Sequence, residues 1–344
     1  MYMSKKITLE DIAKESGLSI STVSRVLSGS GNTTSSRAKR IFEAAQKLNY
    51  PVSSQITPLS MRTSINVALV VKHYEGEFFA SLFEGFDKAM VDSKIKVNLI
   101  SVSHTFSSPD VLALYLAHSQ FDAAIIFLPD YSPSDYAHII ELLPPNFPIV
   151  SIAPIANPVL DTITFDNYRG GHLVARHFEE RGYKQLGIVM GPGNKSEAML
   201  RKNGYLDYIH QSQNMSMMWE YTGDYSVEEG KAAYLHYKHA AIKPEAIFFC
   251  NDAMSIGFAQ SAIRDGIKLP EQLALAGYDD LPICMLYTPT ITSVHTPYDL
   301  LGRKTLELIL DRLRDKKGIH HTGYTSLVPV SLSIRESSGI DNHC

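Results

Sequence analysis

Cysteine is scarce. Cys250, Cys284 and Cys344 are the three in 344 residues, too far apart for a disulfide framework or a thiolate metal site, and their scarcity fits a reducing compartment. No apolar run approaches the ~18 residues of a membrane-spanning helix. The opening MYMSKKITLEDIAK lacks a hydrophobic secretory core, so a cytoplasmic protein with no membrane partner is expected. Catalytic signatures are missing as well. The glycine-bearing segment QLGIVMGPGNKSE matches neither G-x-G-x-x-G nor G-x-x-x-x-G-K-[ST], and no G-x-S-x-G elbow occurs. His236 with His239, and His320 with His321, lack the cysteine or carboxylate company of a metal site. These absences argue against an enzyme, a cofactor and a bound metal.

Charge is present but unevenly spread. The formal net charge is −4, yet residues 1–64 hold nine Lys or Arg against four acids, and the remainder holds 23 against 32. A basic head on an acidic body fits a phosphate-seeking module attached to a domain that avoids DNA.

Within the head, residues 8–50 read as three short helices. Thr8, with Asp11 three residues on, caps the first, which stops at Gly17. SISTVSRVL follows almost at once, and Thr34 looks like the cap of SSRAKRIFEAAQKLNY. Residues 51–64, PVSSQITPLSMRTS, are polar with two prolines and read as a linker. Beyond residue 64, short apolar runs alternate with helical stretches. The runs are 66–71, 96–102, 123–128, 148–153, 162–165, 185–190, 246–250 and 273–277. That alternation predicts parallel sheets covered on both faces, and the length predicts two α/β lobes rather than one.

Ala13, Gly17 and Val23 have the spacing of a helix-turn-helix. A small residue stands where the helices approach and a glycine at the tight turn, while Ile12, Val23 and Val26 fill the space between. The second helix would enter a major groove with Ser19, Ile20, Ser21, Ser24 and Arg25 toward the bases. Arg25 suits bidentate contact with guanine. Ser19, Ser24 and the helix starts near Thr8 and Thr34 suit phosphates. Ser28 and Asn32 complete this set of candidate contacts, and an ordinary helical hairpin is the alternative.

The full string TLEDIAKESGLSISTVSRVLSGSG resembles the headpiece of the LacI/GalR family of bacterial transcriptional regulators. Thr8, Asp11, Ile12, Ala13, Gly17, Leu18, Ser19 and Thr22 to Leu27 match it, as does the later Leu48-Asn49-Tyr50. YRGGHLVARHFEERGYKQLGIVMGP and CNDAMSIGFAQSAIRDGIKLPEQLALAGYDD resemble stretches of the family's effector domain.

The resemblance implies a helix-turn-helix headpiece at 1–50 and a hinge or linker at 51–64. An α/β two-lobed periplasmic-binding-protein-like (type I) effector domain follows at 65–340. The chain would cross between lobes near residues 161, 293 and 323. One lobe would hold about 65–161 and 293–323, the other 162–292 and 324–340. It further implies a repressor of double-stranded DNA with a pseudo-palindromic operator, controlled by a small effector, most simply a sugar or sugar derivative. No heptad-patterned tail follows, so a homodimer is implied rather than a tetramer. Leu59 matches the family's minor-groove wedge, but Pro58 before it disfavours a helix interior. Either a hinge helix opening at Pro58 or a plain linker is expected.

For the cleft, the resemblance implies that Arg201, Asn251 and Asp279 bond ligand hydroxyls, that Tyr225 stacks, and that Phe79 and Tyr298 line the wall. For Asp252 and for Asp280, capping a following helix is the alternative reading. Glu197 and Met199 replace basic and hydroxyl residues of some sugar-binding members, and Ala153 an aspartate. The ligand therefore need not be theirs. An exported sugar-binding protein of the same two-lobe fold is the rival reading, disfavoured by the basic head.

Overall fold

The computed structural model describes residues 7–32, 35–48, 50, 52, 64–72, 76–91, 93–102, 108–314 and 323–339. The head forms α1 (Leu9–Ser16), α2 (Ile20–Leu27) and α3 (Ser36–Lys47). Thr8 caps α1 reciprocally, since its hydroxyl accepts from Asp11 N and its own N–H donates to the Asp11 carboxylate at 2.9 Å. Gly17 then turns the chain at φ 66°, a left-handed conformation that costs glycine little. Ser19 caps α2 by accepting from Thr22 N. Ile12, Ala13, Val23 and Val26 bury against Ala38, Ile41, Phe42 and Ala45 of α3. One expectation is corrected. Ser35, not Thr34, caps α3, because Ser35 directly precedes the first helical turn and its hydroxyl accepts from Ala38 N. Thr34, Pro58 and Leu59 lie outside the described residues, so the hinge expectation meets no structure here.

The body opens with β1 (Ile65–Val71), α4 (Glu77–Met90), β2 (Ile95–Ser101), α5 (Pro109–His118), β3 (Ala123–Phe127), α6 (Pro133–Leu142), β4 (Ile149–Ser151) and β5 (Thr162–Phe165). These strands are mutually parallel where they pair. β1 shows why they read as unbroken apolar runs. Val67, Leu69 and Val71 pack on one face with Leu82 and Phe86 of α4. Ala68 and Val70 pack on the other with Leu112, Leu116 and Ile139 of α5 and α6. Both faces of the strand are buried, so polar alternation is lost.

A second lobe follows: α7 (Asn167–Glu180), β6 (Gln185–Met190), α8 (Ser196–Gln211), β7 (Ser216–Thr222), α9 (Val227–Lys238), β8 (Ala246–Phe249), α10 (Asp252–Arg264), β9 (Ala274–Asp279), α11 (Ile283–Leu286) and β10 (Thr292–His295). The chain then returns through α12 (Tyr298–Arg314) and β11 (Thr325–Val328) to the first sheet, and ends with β12 (Ser331–Ser333) on the second. The sheet orders are β11-β5-β4-β3-β1-β2 and β12-β10-β9-β8-β6-β7. Among the described strands only the β10–β12 pair is antiparallel.

Sheet membership moves all three crossings later than 161, 293 and 323. β5 belongs to the first sheet, β10 to the second and β11 to the first. The chain therefore changes lobe after Phe165, between His295 and Tyr298, and between Val328 and Ser331. Each strand stays with the sheet whose backbone it pairs, and the crossing falls in the unpaired residues beyond. The short strands β10 to β12 carry little apolar signal, and β7 is an edge strand with only Trp219 buried, so none stands out in the sequence.

Candidate functional site

Two surfaces stand out, one on the head and one between the lobes. On α2, Val23 and Val26 turn inward, which leaves Ile20, Ser21, Ser24 and Arg25 exposed as one row on the opposite face. Ile20, an aliphatic side chain, is 46% exposed there. Ser19, Ser28 and Asn32 are exposed around this row, and Thr8 is exposed at the start of α1. Several hydroxyls already serve the fold. Thr8 Oγ donates to Asp11 at 2.8 Å, Ser19 Oγ holds the α2 cap, and Ser28 Oγ donates to Arg25 O at 3.2 Å. Arg25 makes no ion pair with a described residue, which leaves its guanidinium available to a ligand.

Between the lobes lies a cleft of about 510 Å³. The first lobe supplies an aromatic wall. Phe78 and Phe79, at the start of α4, meet Phe127 at the end of β3, with ring centroids 5.1–6.2 Å apart. The second lobe supplies charge and hydrogen-bonding groups from strand ends and helix starts: Lys195, Glu197, Arg201, Tyr225, Asn251 and Asp279.

Arg201, on α8, is 6% exposed. Its Nε donates to Asn167 Oδ1 at 2.8 Å and its Nη1 to the Cys250 carbonyl at 2.5 Å. Nη2 lies 3.3 Å from Asp279 Oδ1, and the guanidinium sits 3.7 Å over the Tyr278 ring. Burial is the largest single influence and works against its charge, but Asp279, Tyr278, Tyr225 and Glu197 together outweigh it and raise the pKa. Tight packing of α7 on α8 makes this geometry possible. A Cβ on Gly204 would lie 1.9 Å from Tyr168 O, and one on Gly171 would lie 2.0 Å from Arg201 O.

Tyr225, Asp279 and Asp280 are the non-glycine residues with positive φ among those described, at 77°, 106° and 53°. Such strain persists only where surrounding contacts over-determine it. Asn251 supplies part of that constraint. Its Oδ1 accepts from Met254 N and its Nδ2 donates to Tyr225 O at 2.9 Å. Asn251 thus lines the cleft with both ends of its amide engaged within the protein.

Asn251, with an extended φ of −157°, is also the N-cap of α10, so the expectation that Asp252 caps it is corrected. Asp252 already lies inside the first turn and faces the sheet. It accepts from Ser293 Oγ at 2.6 Å and Leu281 N at 2.9 Å. Burial, then repulsion from Asp279, holds Asp252 well above the usual carboxylate range. Burial also raises Asp279, against the pull of Arg201. Because Asp279 has a guanidinium partner, Asp252 is the carboxyl that keeps a proton. Asp280 is no cap either. It pairs with Arg335 at 2.6 Å and bonds His295 and Ser333, anchoring the chain's return into β12.

Tyr298 is corrected too. It opens α12 behind the aromatic wall, edge-on to Phe165 and Phe78 at 5.5 and 6.0 Å, and is not among the lining residues. Sequence reasoning missed Phe78, Phe127, Lys72, Asp130 and Asn167, which stand singly at helix starts, a strand end and connecting residues, with no shared motif. Glu197 was legible only as a departure from the family pattern.

Among the described residues, no helix is long and apolar enough to cross a membrane, and no group of three His, Cys, Asp or Glu is placed to hold a metal.

Residues 8–52 match the model of bacterial regulatory proteins of the lacI family, and residues 175–338 match a periplasmic binding protein-like domain. The HTH-type transcriptional repressor PurR of Haemophilus influenzae is 26% identical over 335 residues, covering 96% of this chain and 98% of its own. That of Proteus mirabilis is 25% identical over 315 residues, covering 90% and 91%. Among solved structures, the lac repressor dimer bound to operator and the anti-inducer ONPF aligns with a TM-score of 0.71 at 21% identity, over 97% of this chain and 99% of that one. The transcriptional regulator CelR in complex with cellobiose aligns at 0.70 and 22% identity, over 96% and 100%. The helical head, the two-sheet body and these matches agree: the chain belongs to the LacI/GalR family of bacterial DNA-binding transcriptional regulators.

Proposed function

We propose that the chain is a cytoplasmic, non-enzymatic transcriptional repressor. It acts as a homodimer on a pseudo-palindromic operator, and a sugar or sugar derivative bound between its lobes controls it. The observation that carries the proposal is the exposed row Ile20, Ser21, Ser24 and Arg25, presented opposite the buried Val23 and Val26. A helix so displayed fits a major groove, and a two-fold dimer offers two of them to half-sites one helical turn apart or multiples of it. The candidate DNA contacts are Thr8, Ser19, Ile20, Ser21, Ser24, Arg25, Ser28 and Asn32, with Thr34 and Leu59 outside the described residues.

The cleft supports the effector half of the reading. An aromatic wall suits the apolar face of a sugar ring, and the Arg201–Asp279 pair beside Tyr225 suits hydroxyls. Ligand changes DNA affinity only through its different affinity for two arrangements of the lobes.

Selection of bound sequences from random duplexes tests the first half. A two-fold symmetric site is expected, and failure to enrich one overturns the reading. Operator titration with and without a ligand that raises the melting temperature tests the second. Unchanged operator affinity overturns control by that cleft.

A further inference from the structure

Glu197 stands out in the cleft. It lies in the first turn of α8, is 9% exposed, and lines the cavity. Its Oε2 is buried without a hydrogen-bond partner in the protein. The cations nearby are otherwise engaged. Arg201 directs its fork to Asn167, Cys250 O and Asp279, and Lys195 pairs with Asp130. Burial accordingly raises the Glu197 pKa despite the attraction of Arg201.

The lining as a whole is acidic. Glu77, Asp130, Glu197, Asp224 and Asp279 outnumber Lys72, Lys195 and Arg201. A buried carboxylate left unpaired is costly, and a ligand bearing a cationic donor relieves that cost. A hydroxyl or a flat neutral nucleobase amine would leave the charge uncompensated.

We propose that the effector is an amino sugar whose ammonium group donates to the Glu197 carboxylate while its ring lies against Phe78, Phe79 and Phe127. This rests on the reading of the cleft as the effector site and narrows it from sugars in general to cationic ones. The carboxylate is the discriminating group, because a charge-assisted hydrogen bond in a desolvated site strengthens binding about tenfold to a hundredfold.

The test uses the full chain in calorimetry and thermal-shift titrations. The probes are glucosamine, galactosamine, mannosamine and the glucosamine disaccharide. Glucose, galactose, mannose, N-acetylglucosamine and adenine serve as uncharged counterparts. At least one amine is expected to bind tenfold or more tightly than its uncharged twin, and Glu197→Gln is expected to abolish that preference. Without ligand, Glu197→Gln is expected to melt at or above the wild-type temperature, since it removes a buried charge. The proposal is overturned if no amine binds, if an uncharged counterpart binds as well, or if the variant keeps the preference. A clear fall in the variant's ligand-free melting temperature also overturns it, by assigning Glu197 to the fold. The repressor reading fails separately, when the wild-type chain selects no operator duplex.

Discussion

Lys195 Nζ of the second lobe stands 3.6 Å from Asp130 Oδ1 of the first, and Asp130 Oδ2 is 2.6 Å from Lys72 Nζ on its own side. One carboxylate thus ties the two lobes across the cleft. Glu77 adds a second tie by accepting from Ile283 N at 3.3 Å. The ion pair is about a quarter exposed, with side chains at 22% and 28%, so its worth to overall stability is small. Lys195→Met is expected to change unfolding free energy by less than about 1 kcal/mol. It should nonetheless speed ligand dissociation several-fold, because the lobes lose a contact that holds them at this separation. Stopped-flow dissociation rates check this, and an unchanged rate would show that the pair does not govern lobe separation.

Gly204 sets the distance between α7 and α8. The Cβ of Gly204→Ala would sit 1.9 Å from a backbone carbonyl, not from a yielding side-chain tip. The helices must part, and Arg201 moves with α8. A loss of about 1–3 kcal/mol in urea denaturation is expected from overpacking of this kind, together with weakened ligand binding. Wild-type values for both would mean that the helices shift freely.

Asp252 makes stability depend on pH. Its folded pKa is raised to about 8, above the unfolded value near 4. The folded state therefore holds a proton that the unfolded chain releases. That stabilisation is full below the unfolded pKa and is lost as pH rises toward 8, with a slope approaching ~1.4 kcal/mol per pH unit. Asp279, raised for the same reason of burial, adds in the same direction. Asp252→Asn should shrink the slope of urea midpoints between pH 5 and 8. Parallel slopes for the two proteins would rule out Asp252 as the source.

Arg25 is exposed and forms no ion pair with a described residue. Arg25→Ala should alter stability by less than about 0.5 kcal/mol. Operator affinity should fall about tenfold to a hundredfold, the worth of one bidentate base contact, with relaxed preference at a single base pair. A uniform loss across all sequences would instead make Arg25 a phosphate contact.

The head was legible because its determinants are local. Thr8 with Asp11, Gly17, and the spacing of Ile12, Val23 and Val26 act within the first two helices and the turn between them, and each occupies the expected place in the structure. Where two adjacent hydroxyl residues competed for a cap, as at Thr34 and Ser35, composition did not separate them. The two-lobe body was legible from alternating apolar runs, because parallel strands buried on both faces leave a continuous signature.

Tertiary structure decided what is carried by partners far apart in the chain. Strand pairing alone assigns β5, β10 and β11 to their sheets, and so shifts every crossing. Asp252 and Asn251 are neighbours with similar side chains, and only backbone direction made one a cap and the other a buried carboxyl facing Ser293. Tyr298 went behind the aromatic wall because α12 packs against α4 at Gly85 and Gly302. The cleft's charge arrangement depends on Asp130 of the first lobe meeting the start of α8, with Lys195 and Glu197, from the second. A sequence displays which charges exist, but the energy of each depends on its burial and its partner, and those are set only when the lobes come together.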